Sequence, residues 1–131
     1  MADPTVPTVL VVEDNATNMA LVRALLARHR CLVAEATSAA SALEEARRLL
    51  PQLILMDLQL PDGDGLEVVR QLRALPDSQH IPIIALTAHA MAGDADRARA
   101  IGCDDYLTKP IDTRSFGQRV ERYLGKTEGE R

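Results

Sequence analysis

The sequence predicts an α/β protein built from five βα units, with a parallel sheet covered by helices on both faces. Three observations predict it. Strand-like and helix-like segments alternate five times along the 131 residues, which is the pattern of a parallel sheet with right-handed helical crossovers. The fourth strand-like run, Ile81 to Leu86, is apolar throughout apart from Pro82, as a strand covered on both faces must be. Acidic, hydroxyl and basic residues recur where the apolar runs end, and ligands of open α/β sheets bind along that strand edge.

The first strand is Thr8-Val9-Leu10-Val11-Val12, followed by Glu13, Asp14 and Asn15. Met19, Val22, Leu25 and Leu26 then recur at helical spacing. A short strand, Leu32 to Ala36, precedes Thr37 and Ser38, both good helix caps. The second helix carries Ala39, Ala42, Leu43, Ala46 and Leu50 on one stripe, and Pro51 stops it. The third strand, Leu53-Ile54-Leu55-Met56, leads into Asp57. The segment from Leu58 to Gly65 is rich in turn formers, and Leu66, Val69 and Leu72 mark a third helix broken at Pro76-Asp77-Ser78. Thr87 follows the fourth strand.

A fourth helix near Gly93 to Ile101 is mostly alanine on its apolar side, with Gly102 as its C-terminal cap. So little apolar surface predicts low local stability and a moving part. Tyr106-Leu107-Thr108 is the fifth strand, ending at Lys109-Pro110. Asp112 caps a last helix whose core face is Phe116, Val120, Tyr123 and Leu124. The expected organisation is an extension over 1–7, one domain over 8–124 and a polar, frayed tail over 125–131.

Composition narrows the function. Net charge is −4 and aromatics make up 2% with no Trp, which argues against direct nucleic-acid binding. No apolar run approaches the ~20 residues of a membrane helix, and the N-terminus lacks a basic segment followed by an apolar one, so the expected compartment is the cytoplasm. Cys31 and Cys103 form no metal or redox spacing and are expected to be buried or half-buried thiols. His29 and His80 are expected at the surface, and the arginines at 97, 99, 114, 119 and 122 on solvated helix faces.

At the strand edge, Glu13, Asp14 and Asp57 together carry −3 if all ionise. Two carboxylates ~4 Å apart repel by about 4 kcal/mol at an effective dielectric near 20, so the cluster requires compensation. A divalent ion and Lys109 supply it. Oxygen donors without His or Cys favour Mg²⁺, with Mn²⁺ as a substitute. A phosphoryl group on Asp57 would add negative charge. It would recruit the Thr87 hydroxyl and backbone N–H groups such as that of Ala88. Moving Thr87 would let Tyr106 swing inward, a two-state element biased by one charge event.

These residues resemble the receiver domain of bacterial two-component response regulators. The likeness runs from Thr8 to about Leu124 and rests on Val11-Val12-Glu13-Asp14-Asn15, Leu55-Met56-Asp57, Leu60-Pro61-Asp62-Gly63-Asp64-Gly65, Ala85-Leu86-Thr87-Ala88 and Lys109-Pro110. The resemblance implies a flavodoxin-like sandwich with strand order 2-1-3-4-5. It implies Asp57 as the phosphoacceptor, charged by a sensor histidine kinase or a histidine phosphotransfer protein. It implies Glu13, Asp14, Asp57 and the Gln59 backbone carbonyl as metal ligands, Thr87 and Lys109 as phosphate partners, Tyr106 as the switch aromatic, and a cis Lys109–Pro110 bond. Gln59 and His89 flank the acceptor at variable positions that tune phosphoryl lifetime in the family. The signal would leave through the face formed by the fourth helix, fifth strand and fifth helix. The stretch Thr87-Ala88-His89-Ala90-Met91 with Lys109-Pro110-Ile111-Asp112 looks closest to single-domain DivK-like receivers and to receivers of hybrid histidine kinases.

Two alternatives stand beside this reading. A receiver excised from a hybrid kinase or larger regulator would carry the same residues; Met1 and the short polar tail fit a complete chain, and the neighbouring coding sequence separates the two. A Mg²⁺-dependent aspartate-nucleophile phosphohydrolase usually needs an acid two residues past the nucleophile, and that position is Gln59. The expected activity is therefore phosphoryl acceptance with slow self-hydrolysis, not turnover of external substrates. Gly63 and Gly65 do not make a nucleotide-binding loop, because no glycine-rich turn joins the first strand to the first helix.

Overall fold

In a computed structural model, residues 6–88 and 93–128 are described. The elements in order are β1 (Thr8–Val12), α1 (Ala16–Leu26), β2 (Leu32–Ala36), α2 (Ala39–Leu49), β3 (Leu53–Asp57), β4 (Gln59–Leu60), β5 (Gly63–Asp64), α3 (Gly65–Ala74), β6 (Ile83–Thr87), α4 (Asp94–Ile101), β7 (Asp105–Thr108) and α5 (Thr113–Glu128). Five strands form one parallel sheet of order β2-β1-β3-β6-β7. Counting only its members in chain order, this is the 2-1-3-4-5 arrangement. The expected sheet is therefore present, and β4 and β5 form a separate antiparallel ladder.

Strand alternation divides the interior into two layers. Leu10, Val12, Ile54, Met56, Ile83 and Ala85 face α2, α3 and α4, meeting Ala42, Ala46, Leu66, Val69, Leu72 and Ala98. Val9, Val11, Leu53, Leu55, Ile84 and Leu86 face α1 and α5, meeting Met19, Val22, Leu26, Phe116 and Val120. Every residue of β3 and β6 is buried, which explains why those runs do not alternate with polar residues.

Local signals start the helices. Asn15 caps α1 by accepting from the Asn18 N–H at 2.9 Å. Ser38 and Ser41 form a reciprocal capping box on α2. Asp62, from the turn between β4 and β5, adds two bonds to the same helix end, accepting from the N–H groups of Ala39 at 2.6 Å and Ala40 at 3.1 Å. These bonds hold its carboxyl below the usual carboxylate range. Asp64 caps α3 through the Leu66 N–H. The N-cap of α4 is Gly93, which makes no side-chain cap bond, and Ala98 is the one residue of that helix whose described side chain is fully enclosed.

The structure departs from the sequence reading in several places. Leu49, not Leu50, ends α2; Leu50 takes a left-handed conformation (φ 47°) that stops the helix before Pro51. The turn-rich segment after Asp57 contains the β4–β5 ladder. Helix α5 continues past Leu124 to Glu128, where a frayed tail was expected from Gly125; elongating a formed helix costs far less than starting one, so the polar sequence does not end it. His29 is half-buried, and its Nδ1 lies 2.9 Å from Glu121 Oε2.

Candidate functional site

The parallel sheet brings the C-terminal ends of β1, β3, β6 and β7 to one edge. Register places Val12 beside Met56, Asp57 beside Leu86, and Thr87 beside Thr108. Glu13, Asp57, Thr87 and Lys109 therefore emerge together from adjacent strands. Glu13 and Asp57 are buried at 1% and 2% exposure, and Thr87 is equally enclosed. Asp14 is exposed beside them.

Lys109 bridges the acids. Its Nζ donates to Glu13 Oε1 at 2.8 Å and to Asp57 Oδ2 at 3.2 Å. The other oxygens are also engaged: Asp57 Oδ1 accepts the Gln59 N–H at 3.0 Å, and Glu13 Oε2 accepts the Asn15 N–H at 3.2 Å. Burial pushes the Asp57 carboxyl above the ordinary carboxylate range. The Gln59 N–H opposes that rise, the Glu13 charge adds to it, and Lys109 opposes it again. For Lys109, burial favours the neutral amine, but the hydrogen bond it donates to Glu13 and the charges of Asp57 and Glu13 outweigh it and raise the ammonium pKa.

One carboxylate oxygen from each of Glu13, Asp14 and Asp57 lies within 4.8 Å of the other two. Opposite ligands of an octahedral Mg²⁺ stand about 4.2 Å apart, twice the ~2.1 Å bond length. The donor set is all oxygen and carries more negative charge than Lys109 neutralises. The donor chemistry fits a small divalent cation, and the oxygens stand close to the separations such an ion requires.

The remaining expected residues fall around this cluster. Gln59 begins β4, and its side chain spans to β6: Nε2 donates to Thr87 Oγ1 at 3.3 Å, and Oε1 accepts the Ala88 N–H at 3.5 Å. Tyr106, on β7, is half-buried against the core layer under α4. The Lys109–Pro110 peptide is cis, and the Lys109 N–H donates to Thr87 O at 2.7 Å. His89 lies outside the described residues.

Several supporting residues escaped the sequence reading. Gly65 opens α3 directly on the backbone of Asp57 and Leu58, with no room for a side chain; its local signature was indistinguishable from that of a turn glycine. Arg73, on α3, donates to the carbonyls of Gly102, Ser78, Gln79 and Ile81 and to Asp104 Oδ2. It thereby ties the end of α4 to the starts of β6 and β7. Asp105 is buried on β7 and meets Arg119 and Tyr123 of α5. Arg119 is thus an anchor and not only a solvated surface charge.

The family model for the response regulator receiver domain matches residues 9–121. This chain belongs to the response regulator receiver family. The receiver is 44% identical over 118 residues to the polar-differentiation response regulator DivK of Brucella ovis, covering 90% of this chain and 96% of that protein. Its fold matches the receiver domain of the Pseudomonas aeruginosa sensor histidine kinase PA1611, solved with a magnesium ion coordinated in the active-site cleft: TM-score 0.83, 34% identity, 92% of this chain and 98% of that one. It also matches the Saccharomyces cerevisiae Ssk1 receiver in complex with the phosphotransfer protein Ypd1, at TM-score 0.82 and 30% identity over 90% of this chain and 88% of that one. The receiver is a module of two-component signalling.

Proposed function

We propose that Asp57 accepts a phosphoryl group from a phosphohistidine on a sensor histidine kinase or a phosphotransfer protein. The observation that carries this reading is the convergence of Glu13, Asp57 and Lys109 on one strand edge, with Lys109 Nζ bonded to both acids. An Asp57 carboxylate oxygen attacks phosphorus, the O–P bond forms as the P–N bond breaks, and the partner's imidazole leaves. Glu13, Asp14, Asp57 and the Gln59 carbonyl would hold Mg²⁺ or Mn²⁺. The bound cation supplies positive charge to the transferring phosphoryl oxygens. Lys109 holds the Asp57 carboxylate in place and meets the added negative charge. Thr87 and the Ala88 N–H are the next donors in reach of that charge.

The receiver unit is assigned to residues 8–124, with an extension over 1–7 and a polar tail over 125–131. Thr87 sits on β6 beside β7, so its displacement changes the packing around Tyr106 and α4. A protein partner would read that change on the surface of α4, β7 and α5. Low apolar burial in α4 supports this assignment. Ypd1 beside Ssk1 supports a phosphotransfer protein as the donor class. No helix among the described residues is long and apolar enough to cross a membrane, and a cytoplasmic signalling role without turnover of external substrates fits the acceptor chemistry.

Intact-mass measurement after incubation with acetyl phosphate and Mg²⁺ tests the reading. One phosphoryl group should appear on the wild type and none on Asp57→Asn. Equal labelling of the two would remove Asp57 as the acceptor.

A further inference from the structure

Gln59 makes two side-chain bonds to the end of β6, beside the proposed acceptor. Its N–H is committed to Asp57 Oδ1, which fixes its backbone beside the acceptor. From there its carboxamide reaches the end of β6, donating from Nε2 to Thr87 Oγ1 at 3.3 Å and accepting the Ala88 N–H on Oε1 at 3.5 Å. A backbone N–H can only donate, so the Ala88 contact decides which end of the amide faces which partner. One side chain therefore engages both groups that a phosphoryl on Asp57 would recruit.

We propose that the Gln59 carboxamide is a resting latch, a positioning residue that holds Thr87 and Ala88 in their unphosphorylated placement and opposes phosphoryl capture until it lets go. The inference rests on Asp57 as acceptor and adds what the bare site does before the phosphoryl arrives. The competition has a definite winner. The latch consists of two long, neutral hydrogen bonds from an exposed residue, each worth only a few-fold in an equilibrium. An aspartyl phosphate competes for the Ala88 N–H with a charge-assisted bond roughly twice as strong as the neutral one, and Thr87, which only accepts from the amide, must leave Nε2 to bring its own O–H to the phosphoryl. The latch thus sets a threshold for capture and does not block it. Its release moves Thr87 and Ala88 together, because both are bonded to one amide.

The test uses beryllofluoride, an aspartyl-phosphate mimic that requires the Asp57 carboxylate, titrated at saturating Mg²⁺ into wild type, Gln59→Met and Gln59→Ala. Methionine keeps the length of glutamine and removes both bonds; alanine guards against a new contact made by the thioether. Both variants should bind beryllofluoride about three- to tenfold more tightly than wild type, the range set by two weak neutral hydrogen bonds. In the metal-free variants, the Ala88 amide resonance should move toward its position in the beryllofluoride-bound wild type, a shift that loss of general stability would not produce. Affinities equal to or weaker than wild type in both variants, or an unmoved Ala88 amide, overturn the latch. If wild type itself takes up no beryllofluoride with Mg²⁺, the acceptor reading falls first and the latch with it.

Discussion

Gly65 packs against the backbone of Asp57: its N–H donates to Leu58 O at 3.0 Å, and a Cβ there would strike the Asp57 carbonyl oxygen and stand 2.9 Å from the Leu58 Cα. Neither atom is at the end of a flexible side chain. Gly65→Ala should therefore displace the acceptor strand, cost about 2 kcal/mol or more, and slow acetyl phosphate labelling of Asp57. Gly63→Ala is the control, because an added Cβ there meets only the Ala39 Cβ at 3.7 Å. Chemical denaturation and intact mass on both variants check this. Equal behaviour of the two would show that the close approach is not what demands glycine.

Lys109 is the only cation bonded to both Glu13 and Asp57 among the described residues. Lys109→Met leaves two buried acids facing each other and should destabilise the metal-free protein by about 2 kcal/mol. Mg²⁺ should still bind, with unchanged or tighter affinity, since a competing charge is gone. The response of α4 and Tyr106 to phosphorylation should be impaired. Calorimetric Mg²⁺ titration checks the first part; lost Mg²⁺ binding would contradict the role given to Lys109.

The raised pKa of Asp57 has a sign for stability. Burial lifts it in the folded chain above its unfolded value, so its contribution is fully present below the unfolded pKa and is lost as pH rises through the folded one. At neutral pH without metal the ionised carboxylate works against the fold. Asp57→Asn should consequently raise Tm at pH 7, and the gain should shrink as pH falls toward ~4, the ordinary carboxyl range. Mg²⁺ should raise the Tm of wild type and much less that of the variant. Thermal melts across pH, with and without Mg²⁺, measure both effects.

Arg73 holds four carbonyls and the Asp104 carboxylate, while Asp104 Oδ2 also accepts the Ile83 N–H at 2.8 Å. Arg73→Met should cost about 3 kcal/mol by stranding those acceptors and should speed amide exchange at Ile83 and Cys103. Arg73→Lys should recover only part, because an ammonium lacks the planar fork. Mg²⁺ affinity should stay near wild type, since the clamp lies at the opposite end of the strands. An unchanged exchange profile would mean that these bonds contribute nothing.

The Cys103 thiol is pushed up to about 11, mainly by burial, with Arg73 lowering it and Asp104 raising it. Iodoacetamide should leave Cys103 unmodified at neutral pH in the native protein and modify it on unfolding. Rapid native alkylation at Cys103 would show that the thiol is reachable in the folded protein.

The strand edge that carries the acids and Lys109 was legible because each of these residues ends or follows an apolar run, and parallel pairing then brings those ends together. Placing Glu13, Asp57, Thr87 and Lys109 on that edge needed no other information, whereas the role given to Thr87 rested mainly on the family resemblance. Asp62 and Arg73 were not legible for the opposite reason. Their partners lie 22 to 31 residues away for Ala39, Ala40, Gly102 and Asp104, and nothing local marks such a pairing. The β4–β5 ladder has two residues per strand, too few to show a period. The spacing of Leu50 fits the α2 stripe, but the chain turns left-handed there before Pro51, and spacing does not encode that.

The sheet gives the receiver two interiors that never touch. Phe116 and Leu72 lie in different apolar layers, with the backbone of five strands as the wall between them. Hollowing out one layer leaves the other with its full complement of neighbours, so paired truncations across the wall should sum to within about 0.5 kcal/mol. The acids and Lys109 sit at the rim of this partition, at the C-terminal ends of its strands.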